Sequence, residues 1–177
     1  MESKENKIRI AFMGKKSSGK DTCFELISQI YENCVNLKFA GPLYKILTYA
    51  QNTCKFKVEK DRKFLQYIGT QWGRDIDKNV WLNLMKESIE NNNDKNIIIT
   101  DLRFQNEFDY LKKNNFIIVK LVRDYIPTEQ ECEKESLHIS ENDLNECTSF
   151  DYEIYNNNLT LDKLSLLLKS IITSHFM

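Results

Sequence analysis

The sequence predicts an α/β fold, a three-layer sandwich in which one mostly parallel sheet of about five strands carries helices on both faces. Two observations carry this expectation. Short apolar runs alternate along the chain with stretches of helical spacing, which is the strand–helix–strand pattern. The runs at 96–100 (NIIIT) and 116–122 (FIIVKLV) are almost continuously apolar, as strands become when a parallel sheet is covered on both sides.

Each element follows in order. Ile8 to Met13 is an apolar run ending in a Gly-rich turn. From Lys20 to Cys34 the apolar positions Cys23, Leu26, Ile27, Ile30, Tyr31 and Cys34 take helical spacing. Val35 to Ala40 is short enough for a second strand. Gly41-Pro42 then supplies a turn with proline placed to start a helix over Leu43 to Ala50, since proline lacks only an N–H that the first helical turn leaves unused. Residues 51 to 60 read as connecting chain. Two helices are expected at Arg62 to Ile68 and Ile76 to Glu90, interrupted by Gly69-Thr70 and Gly73, because glycine is a poor helix former. A polar loop at Asn91 to Lys95 precedes the NIIIT strand. Phe104, Phe108 and Leu111 mark the helix between NIIIT and FIIVKLV. Residues 123 to 149 are polar and acid-rich with weak periodicity. Tyr152 to Tyr155 is a last strand, and Thr160 is placed to cap a closing helix over Leu161 to Ile172.

At 177 residues and 41% hydrophobic, the chain can bury one sizeable core, and it is short for two. A single domain over 1–177 is expected, with no internal repeat and no low-complexity linker. The 25 basic and 26 acidic residues nearly cancel, so no global field favours nucleic acid or an anionic membrane. Met1 to Lys7 is charged, without the apolar segment of a signal peptide, and no run approaches the roughly 18 apolar residues of a membrane span. A cytoplasmic protein is expected. Cys23, Cys34, Cys54, Cys132 and Cys147 are odd in number and show no CxxC spacing, which argues against a disulfide framework and a zinc site. They are read as buried or idle thiols.

The motif that carries chemistry is Gly14-Lys15-Lys16-Ser17-Ser18-Gly19-Lys20-Asp21-Thr22, which fits GxxxxGK and stands between a strand and an amphipathic helix. Glycines let the backbone curl so that successive N–H groups point inward. The helix N-terminus adds partial positive charge, and Lys20 reaches the β- and γ-phosphates of a bound nucleotide. This predicts an ATP-binding loop made of Gly14, Lys15, Ser17, Ser18, Gly19, Lys20, Asp21 and Thr22. Asp21 stands where Ser or Thr normally ligates magnesium. A bare carboxylate beside triphosphate would be repelled, so Asp21 is expected to face Mg2+ or its water shell; the plainer alternative is that it only complements the helix dipole.

Only five of the 25 basic residues are arginines, and Arg62, Arg74, Arg103 and Arg123 lie at element ends or beside other polar signals. A guanidinium offers a planar fork that holds a phosphate by two hydrogen bonds, which lysine cannot match. Asp101-Leu102-Arg103 follows NIIIT, and therefore falls at the carboxyl end of the sheet, where open α/β sheets bind ligands. Asp101 is expected to hold magnesium or orient an acceptor, and Arg103 to grip the acceptor's phosphate. A local salt bridge is the alternative for that pair, and a solvated surface for Arg62 and Arg74. Trp81 is either a stacking surface or core. His138 is expected to be structural, because phosphoryl transfer depends chiefly on positioning and charge neutralisation.

Taken together, GKKSSGKDT, KFAGPLYKIL, RKFLQYIGTQWGRDI, DKNVWLN, TDLRFQNE, HISE and DYEIYNNNLTLDKL resemble the deoxynucleoside monophosphate kinases of phages and large DNA viruses. The resemblance implies an adenylate-kinase-like P-loop fold, ATP on the loop, a lid at about 123–141, and magnesium-dependent transfer of the γ-phosphoryl to a deoxynucleoside monophosphate. It implies roles for Lys20, Asp21, Arg62, Asp101 and Arg103, with Gln66, Arg74 and Trp81 on the acceptor side and Asp21 and Asp101 as the metal pair. The lid segment contains EQECEKE and offers only Arg123 and Lys134 as cations, which weakens the case for a lid arginine finger. Two rivals stay open: a phosphomevalonate kinase-like enzyme, which shares GKxxSGKD, and a non-catalytic ATP-gated binding protein. Base preference, ribose selectivity and pairing into a homodimer are not legible.

Overall fold

The computed structural model describes residues 7–124, 144 and 147–176. Arg123 and Asp124 apart, the expected lid at 123–141 lies outside the described residues, as do Cys132, Lys134 and His138. In chain order the elements are β1 (Arg9–Met13), α1 (Lys20–Ile30), β2 (Cys34–Leu37), α2 (Gly41–Thr53), α3 (Arg62–Gln66), a π-helical turn (Tyr67–Trp72), α4 (Gly73–Ile76), α5 (Val80–Glu90), β3 (Asn96–Leu102), α6 (Gln105–Lys113), β4 (Ile117–Val122), β5 (Tyr152–Tyr155) and α7 (Leu161–Phe176). They divide into two compact units, Met1–Asn36 with Asn92–Met177, and Leu37–Asn91.

The first unit is built on a five-stranded sheet in the order β2-β3-β1-β4-β5. Strand β1 runs parallel to β3 and β4, and β4 parallel to β5. The chain leaves β1 toward one edge through α1, then winds from β3 to β4 in the opposite sense through α6. Right-handed crossovers of opposite direction put their helices on opposite faces. One face packs Ile10 and Phe12 of β1, Ile98 of β3, Val119 and Leu121 of β4 and Ile154 of β5 against α1 and α7. The stripe Leu164, Leu168, Ile171 and Ile172 gives α7 one apolar side at helical spacing. The alternate residues Ala11, Ile97, Ile99 and Ile118 are fully buried outside that cluster, so both faces of the central strands are covered. Arg9 ties the opposite end of the sheet, donating to the carbonyls of Lys95 (2.6 Å) and Asn93 (2.7 Å).

Several boundaries differ from expectation for local reasons. Helix α1 stops at Ile30, short of Cys34, because Tyr31 is extended and Asn33 takes a left-handed φ of 54°. Strand β3 continues two residues beyond Thr100 to Leu102.

In the second unit, α2 starts on Gly41-Pro42. The buried Gln51 amide donates to Glu59 O (2.9 Å) and accepts from Glu59 N (3.3 Å), which pins the connecting chain. The expected break at Gly69-Thr70 and Gly73 does not occur; the backbone stays helical through a π turn. The reason is Trp81. Its indole, 3% exposed, donates to Gly69 O at 2.8 Å. A Cβ on Gly73 would stand 2.4 Å from the Trp81 ring. Glycine here makes room for an aromatic ring and does not end the helix.

Candidate functional site

The loop between β1 and α1 has the conformation that the motif demands. Gly14 (φ 141°), Ser17 (φ 60°) and Gly19 (φ 102°) all lie in the left-handed half of backbone space, which glycine enters freely and other residues seldom adopt. A Cβ on Gly14 would sit 2.3 Å from Leu121 O, so this glycine is also required by the close approach of β4. Lys20, the first residue of α1, folds back over the loop and donates from Nζ to Gly14 O and Lys15 O at 2.7 Å and to Ser18 Oγ at 3.3 Å. Ser18 is buried at 1%, while Lys15, Lys16 and Ser17 are exposed and Thr22 is half-buried. The result is a curled backbone at a helix N-terminus with an ammonium across it, an arrangement suited to a polyphosphate.

Asp21 is anchored from the sheet. Thr100 Oγ1 donates to Asp21 Oδ1 at 2.8 Å, and Asn36 Oδ1 lies 3.3 Å from the same hydroxyl. One hydroxyl has one proton; with the Asn36 amide reversed, its NH2 donates to Thr100 and leaves that proton wholly to the carboxylate. Pairing between β1 and β3 slips here. Ala11 faces Ile99, but Met13 faces Leu102, where regular pairing would give Asp101. The extra β3 residue is a bulge spanning Thr100 and Asp101, a device that re-aims side chains. Asp21 and Asp101 thus both issue from positions fixed around the end of β1, and their oxygens are the donor type that magnesium prefers.

Beside the loop opens a cleft of about 610 Å3, lined among others by Gly14, Lys15, Arg103, Lys120, Arg123 and Glu153. Arg103 follows β3 directly. Its backbone N–H and that of Phe104 donate to Glu107 Oε2 at 3.1 and 3.2 Å, and Glu107 is buried at 1%. A buried carboxylate of α6 therefore fixes the chain that carries Arg103. On the wall, Lys120 pairs with Glu153 at 3.1 Å. The hydrogen bond from Lys120, then that from Tyr155, holds the Glu153 carboxyl below its ordinary range.

Two strand ends clasp the loop from outside. Arg123 Nη1 donates to Ser17 O (3.3 Å) and Asn156 Nδ2 to Ser18 O (2.9 Å). Asn157 and Asp124 bond each other reciprocally, Asp124 N to Asn157 Oδ1 at 2.7 Å and Asn157 Nδ2 to Asp124 Oδ2 at 2.5 Å.

In the first unit the cleft is shared by Gly14, Lys15 and Arg103, and Asp21 is tied to Thr100, the residue before Asp101. Arg62, Gln66, Arg74 and Trp81 belong to the second unit. Arg62 opens α3, whose Asp61 cap accepts from Phe64 N at 2.9 Å, and Gln66 closes it. Arg74, in α4, donates to Lys78 O at 3.4 Å. Trp81 is core. Sequence reasoning missed Thr100, Asn36, Glu107 and Asn156. Thr100 left a signal, as the polar end of an apolar run; an asparagine in YNNN left none, because its partner is 138 positions away.

The family model for deoxynucleotide monophosphate kinases matches residues 60–167. The chain is 30% identical over 179 aligned positions to a protein of Acanthamoeba polyphaga mimivirus provisionally named as such a kinase, covering 85% of this chain and 89% of that one. It is 35% identical over 82 residues to the deoxynucleoside-5'-monophosphate kinase of Escherichia phage T5; this spans 45% of this chain and only 33% of the phage protein. Among solved structures, shikimate kinase from Aquifex aeolicus superposes with a TM-score of 0.52 at 16% identity, over 94% of this chain and 98% of the other. That likeness is one of fold.

Proposed function

Since the chain belongs to the deoxynucleotide monophosphate kinase family, we propose that it transfers the γ-phosphoryl of ATP to a deoxynucleoside monophosphate, giving the diphosphate and ADP. The observation that carries this reading is the 14–20 loop itself, left-handed at three positions, with Lys20 bridging its mouth and Asp21 tethered beside it.

Gly14 to Lys20 hold the donor phosphates through backbone N–H groups and the Lys20 ammonium. Asp21 and Asp101 would hold magnesium directly or through its waters, and the ion, when bound, would supply neutralisation of the phosphate charge. Arg103 grips the acceptor phosphate by a two-bond fork; the second unit's own candidates for the acceptor are the guanidinium forks of Arg62 and Arg74 and the hydrogen-bonding amide of Gln66. An oxygen of that phosphate forms the new bond to phosphorus as the bond to the β-phosphate oxygen breaks, and the pair of electrons leaves with ADP. A phosphate monoester loses its second proton near pH 6, so the attacking oxygen needs no general base. Position and charge carry the rate. The same reading places the reaction in the cytoplasm, that of the host where the chain is virus-encoded.

A coupled ADP-release assay with ATP and Mg2+ over a panel of deoxynucleoside and ribonucleoside monophosphates, with phosphomevalonate included, tests the proposal. Turnover on at least one deoxynucleoside monophosphate, lost in Lys20→Ala, is expected. Turnover confined to phosphomevalonate, or full activity in Lys20→Ala, would overturn it.

A further inference from the structure

The geometry points to Asn156 as a positioning residue for the phosphate loop, acting through the peptide between Ser18 and Gly19; this rests on the reading that the 14–20 loop holds a polyphosphate. Asn156 follows β5 and is itself tied by its backbone N–H to Val122 O at 2.7 Å, the last residue of β4. From that fixed base its Nδ2 donates to Ser18 O at 2.9 Å. In a trans peptide, carbonyl and N–H point in opposite directions within one plane. Holding Ser18 O toward Asn156 therefore aims the Gly19 N–H away from Asn156. Gly19 is the N-cap of α1, so this N–H belongs to the group of donors that a helix start presents to an anion.

The identity of residue 19 fits the same device. A Cβ on Gly19 would stand 2.6 Å from Asn156 Nδ2, closer than non-bonded atoms allow, so the amide reaches the loop only because that side chain is missing. The Gly19 φ of 102° excludes side chains on its own account. Distance and dihedral thus make one demand, and the sheet end supplies the bond that uses it. Asn156 touches no nucleotide in this proposal. It sets the direction of a donor that does.

Calorimetric titration with inorganic tripolyphosphate and with ATP, each with Mg2+, tests the role. Tripolyphosphate reports the loop without the nucleoside. Removing one hydrogen bond to the loop in Asn156→Ala should weaken both ligands by about tenfold, leaving the acceptor's affinity unchanged. Asn156→Asp, of the same shape but unable to donate, should weaken them further. ATP weakened with tripolyphosphate unaffected would mean that Asn156 serves the nucleoside half; both unaffected, or acceptor affinity falling in step, would equally overturn the role. Unmutated protein that fails to bind tripolyphosphate would remove the phosphate-loop reading itself. Should the variants misfold, hydrogen exchange of the Asn156 side-chain amide in unmutated protein decides: protection is expected, and exchange at the rate of an open amide overturns the bond.

Discussion

At the scale of single residues, the site depends on hydrogen bonds that fix charged groups before any ligand arrives. Thr100 is the clearest case. The residue is 3% exposed, and its hydroxyl gives its proton to Asp21 at 2.8 Å. Thr100→Val keeps the shape and removes the donor. On the role proposed for Asp21, losing the partner that orients its carboxylate should raise the Mg2+ concentration needed for half-maximal ATP binding by about tenfold, read by calorimetry, with acceptor affinity unchanged. Cys23 gives a pH prediction. Burial pushes its thiol from 9.0 up to about 12, against a smaller opposing pull from Lys20. Above pH 9 the unfolded thiol ionises while the folded one keeps its proton, so stability is intact below pH 9 and falls between there and pH 12. At pH 10 the loss from this group is on the order of 1 kcal/mol. Urea unfolding at pH 8 and pH 10 should show a smaller drop between the two pH values for Cys23→Ala than for the unmutated protein. At pH 8 a thiol reagent should modify the exposed Cys54 and spare Cys23.

At the scale of elements, the β-bulge and the π turn both add a residue to regular structure, and neither could be read from hydrophobic periodicity. Apolar spacing located β3, and β5 falls at Tyr152–Tyr155 as expected, because burial alternates or repeats with the element. A bulge depends on which residue of β1 faces which of β3, a relation that the pattern of one strand does not contain. The glycines misled for a similar reason. Gly69 and Gly73 read as helix breakers, yet Gly73 has an ordinary helical φ of −68°, and its missing Cβ makes space for Trp81. Gly73→Ala weighs two effects against each other. Helix propensity favours alanine by up to about 1 kcal/mol, while a Cβ at 2.4 Å from the ring and 2.8 Å from Ile68 O costs about 1–3 kcal/mol of overpacking. Crowding should win, and the melting temperature should fall; an unchanged or higher value would show that Trp81 yields freely.

For the molecule as a whole, the phosphate loop and the chemistry of its motif were legible because strand, turn and helix are adjacent in sequence. The clasp on the loop was not, since it joins residues more than a hundred positions apart, Ser17 to Arg123 and Ser18 to Asn156. A ligand that binds this assembled site and not the unfolded chain stabilises the fold by mass action. ATP with Mg2+ at a hundred times its Kd should add about 2.7 kcal/mol, seen as a higher melting temperature that EDTA reduces. The order of the sheet carries one more consequence, for the chain during its synthesis. Strand β1 is made before either of its neighbours and sits in the middle, yet those neighbours begin at Asn96 and Ile117. Until the ribosome has delivered both, the segment RIAFM has two bare hydrogen-bonding edges and apolar side chains with nothing to cover them. Contacts so distant along the chain close slowly, so this unit should lean on chaperones for as long as translation leaves its first strand waiting.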